Sequence, residues 1–101
     1  MTSGYKILWT NFALGELENT IVYLKENWTE RELRNLASEI EETLSLISHH
    51  PYLFEAFDSR KNIRRVVVAK HNTLYYRVKN NTIEIISFFS NRQSPKKIQL
   101  K

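Results

Sequence analysis

Cysteine is absent from the chain, and glycine and proline occur only twice each. Without cysteine there is no disulfide framework, no thiolate metal site and no thiol nucleophile. That fits a reducing compartment. Two glycines leave no Gly-rich phosphate loop, and neither HExxH nor GxSxG occurs. No apolar run approaches the roughly 20 residues of a membrane span. The first residues lack the charged and apolar segments of a secretory signal. These absences lead to the expectation of a soluble cytoplasmic protein with no cofactor, no metal and no membrane partner.

What is present suits one small globular domain. The chain has 101 residues, 42% of them apolar and 26% charged, enough for a single core. The expected domain spans residues 1–101, with 1–4 and 97–101 as mobile ends. Charge is divided unevenly along it. Residues 1–50 carry four Lys/Arg and eight Asp/Glu, whereas residues 51–101 carry eleven and three. A basic half of this kind points to a polyanion or an acidic protein as partner, against the plainer reading of a solvated basic face.

The basic half is also rich in strand-forming residues. Ile63–Ala69, Thr73–Lys79 and Thr82–Phe89 are dense in Val, Ile, Tyr, Phe and Thr and read as three strands of a meander. Lys70-His71-Asn72 and Asn80-Asn81 supply the turns, since Asn tolerates positive φ. Earlier in the chain, Tyr5–Trp9 reads as a short strand. Thr10 or Asn11 can cap a helix. Leu14, Leu17, Ile21, Leu24 and Trp28 then recur at helical spacing as one apolar stripe. Gly15 within it costs about 1 kcal/mol relative to Ala and reads as a place of close approach by another element. Thr29 and Glu32 form a capping box, which starts a second helix with the stripe Leu33, Leu36/Ala37, Ile40, Leu44 and Ile47. That helix ends before Pro51. About two residues join the helices, so they form a hairpin. In the connector Pro51–Asn62, Tyr52, Leu53, Phe54 and Phe57 read as anchors on the core edge. The expected fold is α+β, in the order β-αα-βββ, with the helical hairpin on one face of a mostly antiparallel four-stranded sheet.

A two-residue turn at Asn80-Asn81 sets the register of the second hairpin. Val78/Ile83, Tyr76/Ile85 and Leu74/Ser87 then face the helices. Arg77/Glu84, Tyr75/Ile86 and Thr73/Phe88 face away, with Ser90 and Arg92 following them. Arg77/Glu84 is a cross-strand ion pair worth about a few tenths of a kcal/mol. For the first hairpin, a three-residue loop puts Arg65 and Val67 on the open face and Val66 and Val68 in the core. A two-residue loop reverses this. An open face with arginines and an accessible Tyr75 could hold single-stranded RNA, the cations following phosphates and the rings stacking on bases. Equally, Tyr75 and Phe88 can be cross-strand packing partners. His49 and His50 complement a helix C-terminus. His71 reads as a solvated turn residue that could also contact phosphate or act as an acid or base.

The pattern of Ile63-Arg64-Arg65, Lys70 through Val78, Ile83 through Ile86 and Arg92-Gln93-Ser94-Pro95 resembles the RelE/ParE superfamily of bacterial toxins. Trp9-Thr10 and the two helices that follow look similar as well. The resemblance covers roughly residues 5–96. It implies the toxin of a type II toxin–antitoxin pair, neutralised by a small antitoxin protein. RelE-like members cut mRNA on the ribosome without a metal. ParE-like members poison DNA gyrase and are not enzymes. For a RelE-like member the catalytic candidates are Arg65, His71, Tyr75 and Arg92. Contacts to nucleic acid or to another target fall to Arg64, Arg65, Lys70, Arg77, Arg92 and Lys96. Thr73 stands where such nucleases often carry Arg, and no Tyr or His follows Arg92. The Arg-Gln-Ser-Pro ending leans to the ParE side. The alternatives are the ribosome-dependent endonuclease and a non-catalytic module that binds RNA or an acidic protein.

Overall fold

The computed structural model describes residues 4–27 and 29–90. β1 (Lys6–Trp9) leads into α1 (Asn11–Asn27) and α2 (Glu30–His49). A short β2 (Ala56–Asp58) and a 3-10 turn (Ser59–Lys61) follow. The meander then runs through β3 (Ile63–Val68), β4 (Asn72–Lys79) and β5 (Thr82–Ser90). The sheet has five strands in the order β1-β5-β4-β3-β2, one more than the four expected. The added strand, β2, comes from the connector and pairs with Ile63 and Arg64 at the sheet edge. β1 lies parallel to β5, with Lys6 opposite Thr82 and Trp9 opposite Ile85. All other pairings are antiparallel.

Local chemistry sets the ends of the helices. The Thr10 hydroxyl accepts from the amide of Ala13 at 3.1 Å and donates to the Ile85 carbonyl at 3.0 Å. It therefore caps α1 and fastens it to β5 at once. Thr29 caps α2, its hydroxyl accepting from the amide of Glu32. The buried face of α1 is turned from the expected stripe: Leu24 lies in the core and Leu17 packs against it as expected, but the face is centred on smaller residues. Ala13, Thr20 and Leu24 are buried and Leu14 is exposed. Small side chains let α1 lie close over β5. Leu17 and Ile21 also line an apolar groove of about 620 Å³ between α1 and α2, with Leu33, Ala37 and Ile40 opposite them. Trp28 lies outside the described residues.

Gly15 does not mark a close approach. A Cβ there would meet nothing within 4 Å. The glycine in close contact is Gly4, where a Cβ would collide with Ser48. There the Tyr5 amide donates to the Ser48 carbonyl at 2.8 Å, and the Ser48 hydroxyl donates to the Tyr5 carbonyl at 2.9 Å. These two hydrogen bonds tie the start of β1 to the end of α2.

The core lies between the helices and one face of the sheet: Leu36, Ile47, Val68, Leu74, Tyr76, Val78, Ile83, Ile85 and Phe88. Lys79/Thr82, Val78/Ile83, Arg77/Glu84 and Tyr76/Ile85 pair as expected. Beyond them the register shifts, with Tyr75 opposite Ser87 and Leu74 opposite Phe88. Ile86 is the extra residue of a β-bulge. The bulge reverses the alternation for the rest of β5. Phe88 turns into the core at 0% exposure and Ser90 is buried, both expected on the open face. A carboxylate from α1 stabilises the bulge: Glu16 Oε1 accepts from the Phe88 amide at 2.7 Å and from the Ser87 hydroxyl at 2.8 Å. β1 ends opposite Ile85, so this carboxylate covers the outer edge of β5 where no strand does.

Candidate target-binding face

The first hairpin settles which residues face outward. Val68 pairs with Asn72, leaving Ala69-Lys70-His71 as a three-residue loop. Ala69 and Lys70 both adopt positive φ, at 52° and 68°. The buried Asn72 closes the loop by donating from its side-chain amide to the Val68 carbonyl at 3.1 Å. The loop sits one residue earlier than expected, but the faces follow the three-residue alternative. Val66 is opposite Leu74 and Val68 opposite Asn72 on the helix side; Arg65 is opposite Tyr75 and Val67 opposite Thr73 on the open side.

Arg65 and Tyr75 are thus neighbours across β3 and β4. The connector adds two residues to them. Glu55 Oε2 accepts from Arg65 Nη2 at 2.8 Å. Phe57 stands edge-on to Tyr75, with centroids 5.1 Å apart, and the Arg65 guanidinium lies 5.4 Å from the Phe57 ring centre. The hydrogen bond and charge of Glu55 raise the Arg65 pKa above its ordinary value, with Tyr75 adding a smaller push. Phe54, Glu55, Arg65, Val67, Thr73 and Tyr75 border an open concavity of about 580 Å³ at this edge of the sheet. Further along the face, Arg77 and Glu84 form the expected cross-strand pair, Nη2 to Oε1 at 3.1 Å.

The other proposed residues are not brought to this cluster. Arg64 lies on the opposite side of β3, beside Tyr76. Its Nη1 donates to the Phe54 carbonyl at 2.7 Å and its guanidinium covers the Tyr52 ring at 5.0 Å. Tyr76 reaches the same connector, its hydroxyl donating to the Pro51 carbonyl at 2.8 Å. Burial pushes the Tyr76 phenol up to about 12, with Arg64 opposing the shift. Lys70 and His71 belong to the β3–β4 loop. His71 is four residues from Tyr75 along the chain, roughly 13 Å at strand rise. Arg92 and Lys96 lie outside the described residues. Among the described residues no group of three or more His, Asp or Glu side chains is placed to hold a metal ion. No helix among them is long and apolar enough to cross a membrane.

Sequence reading missed Glu55 as part of this face and assigned Phe57 to the core edge. Phe57 is 55% exposed, and Tyr52 and Leu53 are as open; among the four aromatic or apolar anchors expected in the connector, Phe54 is the one packed against the core. No short-range signal marked Glu55, because the pairing of Ala56–Asp58 with β3 is what brings it to Arg65.

Comparison with known proteins agrees with the fold. A solved structure described as the chromosomal ParDE TA system from P. aeruginosa matches with a TM-score of 0.69 at 14% identity, covering 85% of this chain and 95% of that one. A search of curated proteins finds no match. The family model for the ParE toxin of the type II toxin–antitoxin system parDE matches residues 7–95, nearly the whole chain. The chain therefore belongs to the ParE toxin family and is the toxin of a type II pair, with an antitoxin protein as its partner.

Proposed function

We propose that this toxin arrests growth by binding and poisoning DNA gyrase through protein contacts, without cutting RNA. The observation that carries this reading is the charge state of the open face. Both of its arginines are matched by carboxylates, Arg65 by Glu55 and Arg77 by Glu84. Metal-free RNA cleavage needs cations free to meet a developing phosphorane charge, together with a base for the 2′-hydroxyl. A carboxylate beside each guanidinium cancels that field and repels phosphate. Thr73, where a nuclease of this fold often has Arg, is one wall of the concavity. The Tyr75 ring is engaged by Phe57. A face of aromatics and matched ion pairs suits a folded protein surface, where rings and arginines are the usual anchors.

In this reading Arg65, Lys70 and Arg77 contact the target, with Arg92 and Lys96 of the basic C-terminal stretch adding charge. The test sets purified toxin against gyrase supercoiling and, separately, against mRNA in a translating extract. The expected result is loss of supercoiling with intact mRNA. Cleaved mRNA, abolished by Arg65→Ala while gyrase is untouched, would establish the ribosome-dependent nuclease instead. The adjacency of Arg65 and Tyr75 is what supports that second reading.

A further inference from the structure

We propose that Phe57, carried on a bulge at the sheet edge, is the anchor of the toxin's contact with gyrase, and that its counterpart there is an apolar projection ringed by acidic residues. The proposal rests on the gyrase reading.

Phe57 is displaced from the regular ladder. Ala56 pairs with Arg64 and Asp58 with Ile63, so two steps along β2 answer one along β3. Phe57 is the extra residue between them, and a bulge of this kind re-aims a side chain. The ring leaves the core edge and stands largely in solvent, where the fold forgoes the burial an aromatic ring normally brings. It is nevertheless held in place. Tyr75 meets it edge-on, and the Arg65 guanidinium lies against it. Glu55 fixes that guanidinium in turn through the 2.8 Å hydrogen bond to Nη2. The same carboxylate that cancels the field of Arg65 therefore also positions the ring beside it.

This arrangement suits a protein contact. Aromatic rings and arginines dominate the energetics of interfaces, and side chains already fixed in place lose less freedom on association. Next to the cluster, Thr73 and the 64% exposed Val67 border the open concavity, which can receive apolar side chains from a partner. Charge then selects the rim of that partner. The 3-10 turn after Phe57 carries Arg60 and Lys61, and the β3–β4 loop carries Lys70. Asp58 is occupied within the turn, its Oδ1 accepting from the amides of Arg60 and Lys61 at 3.1 and 3.4 Å. Among the described residues no ion pair engages Arg60, Lys61 or Lys70. These cations meet an acidic rim favourably and repel a second copy of the same face.

The experiment titrates supercoiling by purified gyrase with full-length toxin, and measures toxin binding to gyrase and to the antitoxin alongside. Phe57→Ala should raise the concentration for half-inhibition at least about tenfold, as loss of an aromatic hot spot does, and weaken gyrase binding in step. Phe57→Tyr and Tyr75→Phe keep both rings and should stay within about threefold of wild type. Circular dichroism checks that each variant is folded. If Phe57→Ala does not fold, Lys61→Glu on the exposed rim decides the matter and should weaken inhibition at least about threefold. A folded Phe57→Ala, or a Lys61→Glu, that inhibits like wild type overturns the anchor and leaves the gyrase reading standing; weaker antitoxin binding by Phe57→Ala with unchanged inhibition assigns the ring to the antitoxin instead. Loss of activity in Tyr75→Phe places the working group at the phenol and overturns the anchor as well. Failure of wild-type toxin to inhibit supercoiling overturns both.

Discussion

Replacing Glu16 separates the role of its charge from the role of its shape. Its Oε1 accepts from the Phe88 amide and from the Ser87 hydroxyl, at the point where the bulge turns Phe88 into the core. Hydrogen bonds to a charged group contribute about 1.5–3 kcal/mol. Two donors sharing one oxygen do not add fully. Glu16→Ala leaves the Phe88 amide without its acceptor and should cost about 2 kcal/mol. For a domain of this size that lowers Tm by roughly 8–16 °C. Glu16→Gln keeps a carbonyl oxygen in the same place and loses only the charge assistance, so it should cost about 1 kcal/mol. Denaturant and thermal unfolding followed by circular dichroism measure both. Exchange of the Phe88 amide should speed up markedly in the Ala variant and little in Gln. Equal destabilisation by Ala and Gln would show that the carboxylate charge, not the acceptor at the bulge, is what matters. A loss below about 0.5 kcal/mol in Glu16→Ala would show that the bulge holds without it.

Further expectations follow from other contacts. Tyr76→Phe removes the bond to the Pro51 carbonyl and should cost about 1–2 kcal/mol, read as a lower unfolding midpoint. The wild-type phenol ionises near 12 when folded and near 10 when unfolded. Its burial therefore stabilises the fold fully below about pH 10, and that contribution disappears as pH rises toward 12; Tyr76→Phe should flatten this alkaline loss, and an unchanged slope would refute the assignment. Lys70→Gly relieves a side chain held at positive φ and should raise stability by about 1 kcal/mol, measured by urea unfolding. Gly4→Ala forces a methyl group into Ser48 and should weaken the tie between β1 and α2, seen as faster amide exchange at Tyr5.

The sequence carried the order of elements because each is announced locally. The Thr29 cap, the Pro51 stop and the β-branched runs of the meander are short-range signals. The faces depended on counting, and counting fails at an inserted residue. In Ile85-Ile86-Ser87-Phe88-Phe89 the doubled apolar pairs around a serine are the trace of the bulge, where core positions are three apart instead of two. The rotation of α1 was hidden for a different reason. Large residues were read as the buried face, but Ala13 and Thr20 are what permit contact with β5. β2 was missed because three residues have no period. Glu55 could not be found as a member of the open face without β2, since that strand's pairing is what brings it to Arg65. The arginines themselves were legible, and Arg77/Glu84 formed as expected because the turn at Asn80 fixed that register.

The parallel pairing of β1 with β5 has a bearing on how the toxin is born. Lys6–Trp9 leaves a ribosome well before its strand partner Thr82–Ile85. Between them the helical hairpin can form from local contacts alone, whereas the sheet must wait for distant ones. A nascent chain can thus hold both helices and still lack the strand that carries Phe88 and the bulge. Synthesis itself therefore delays the completed sheet until β5 has emerged.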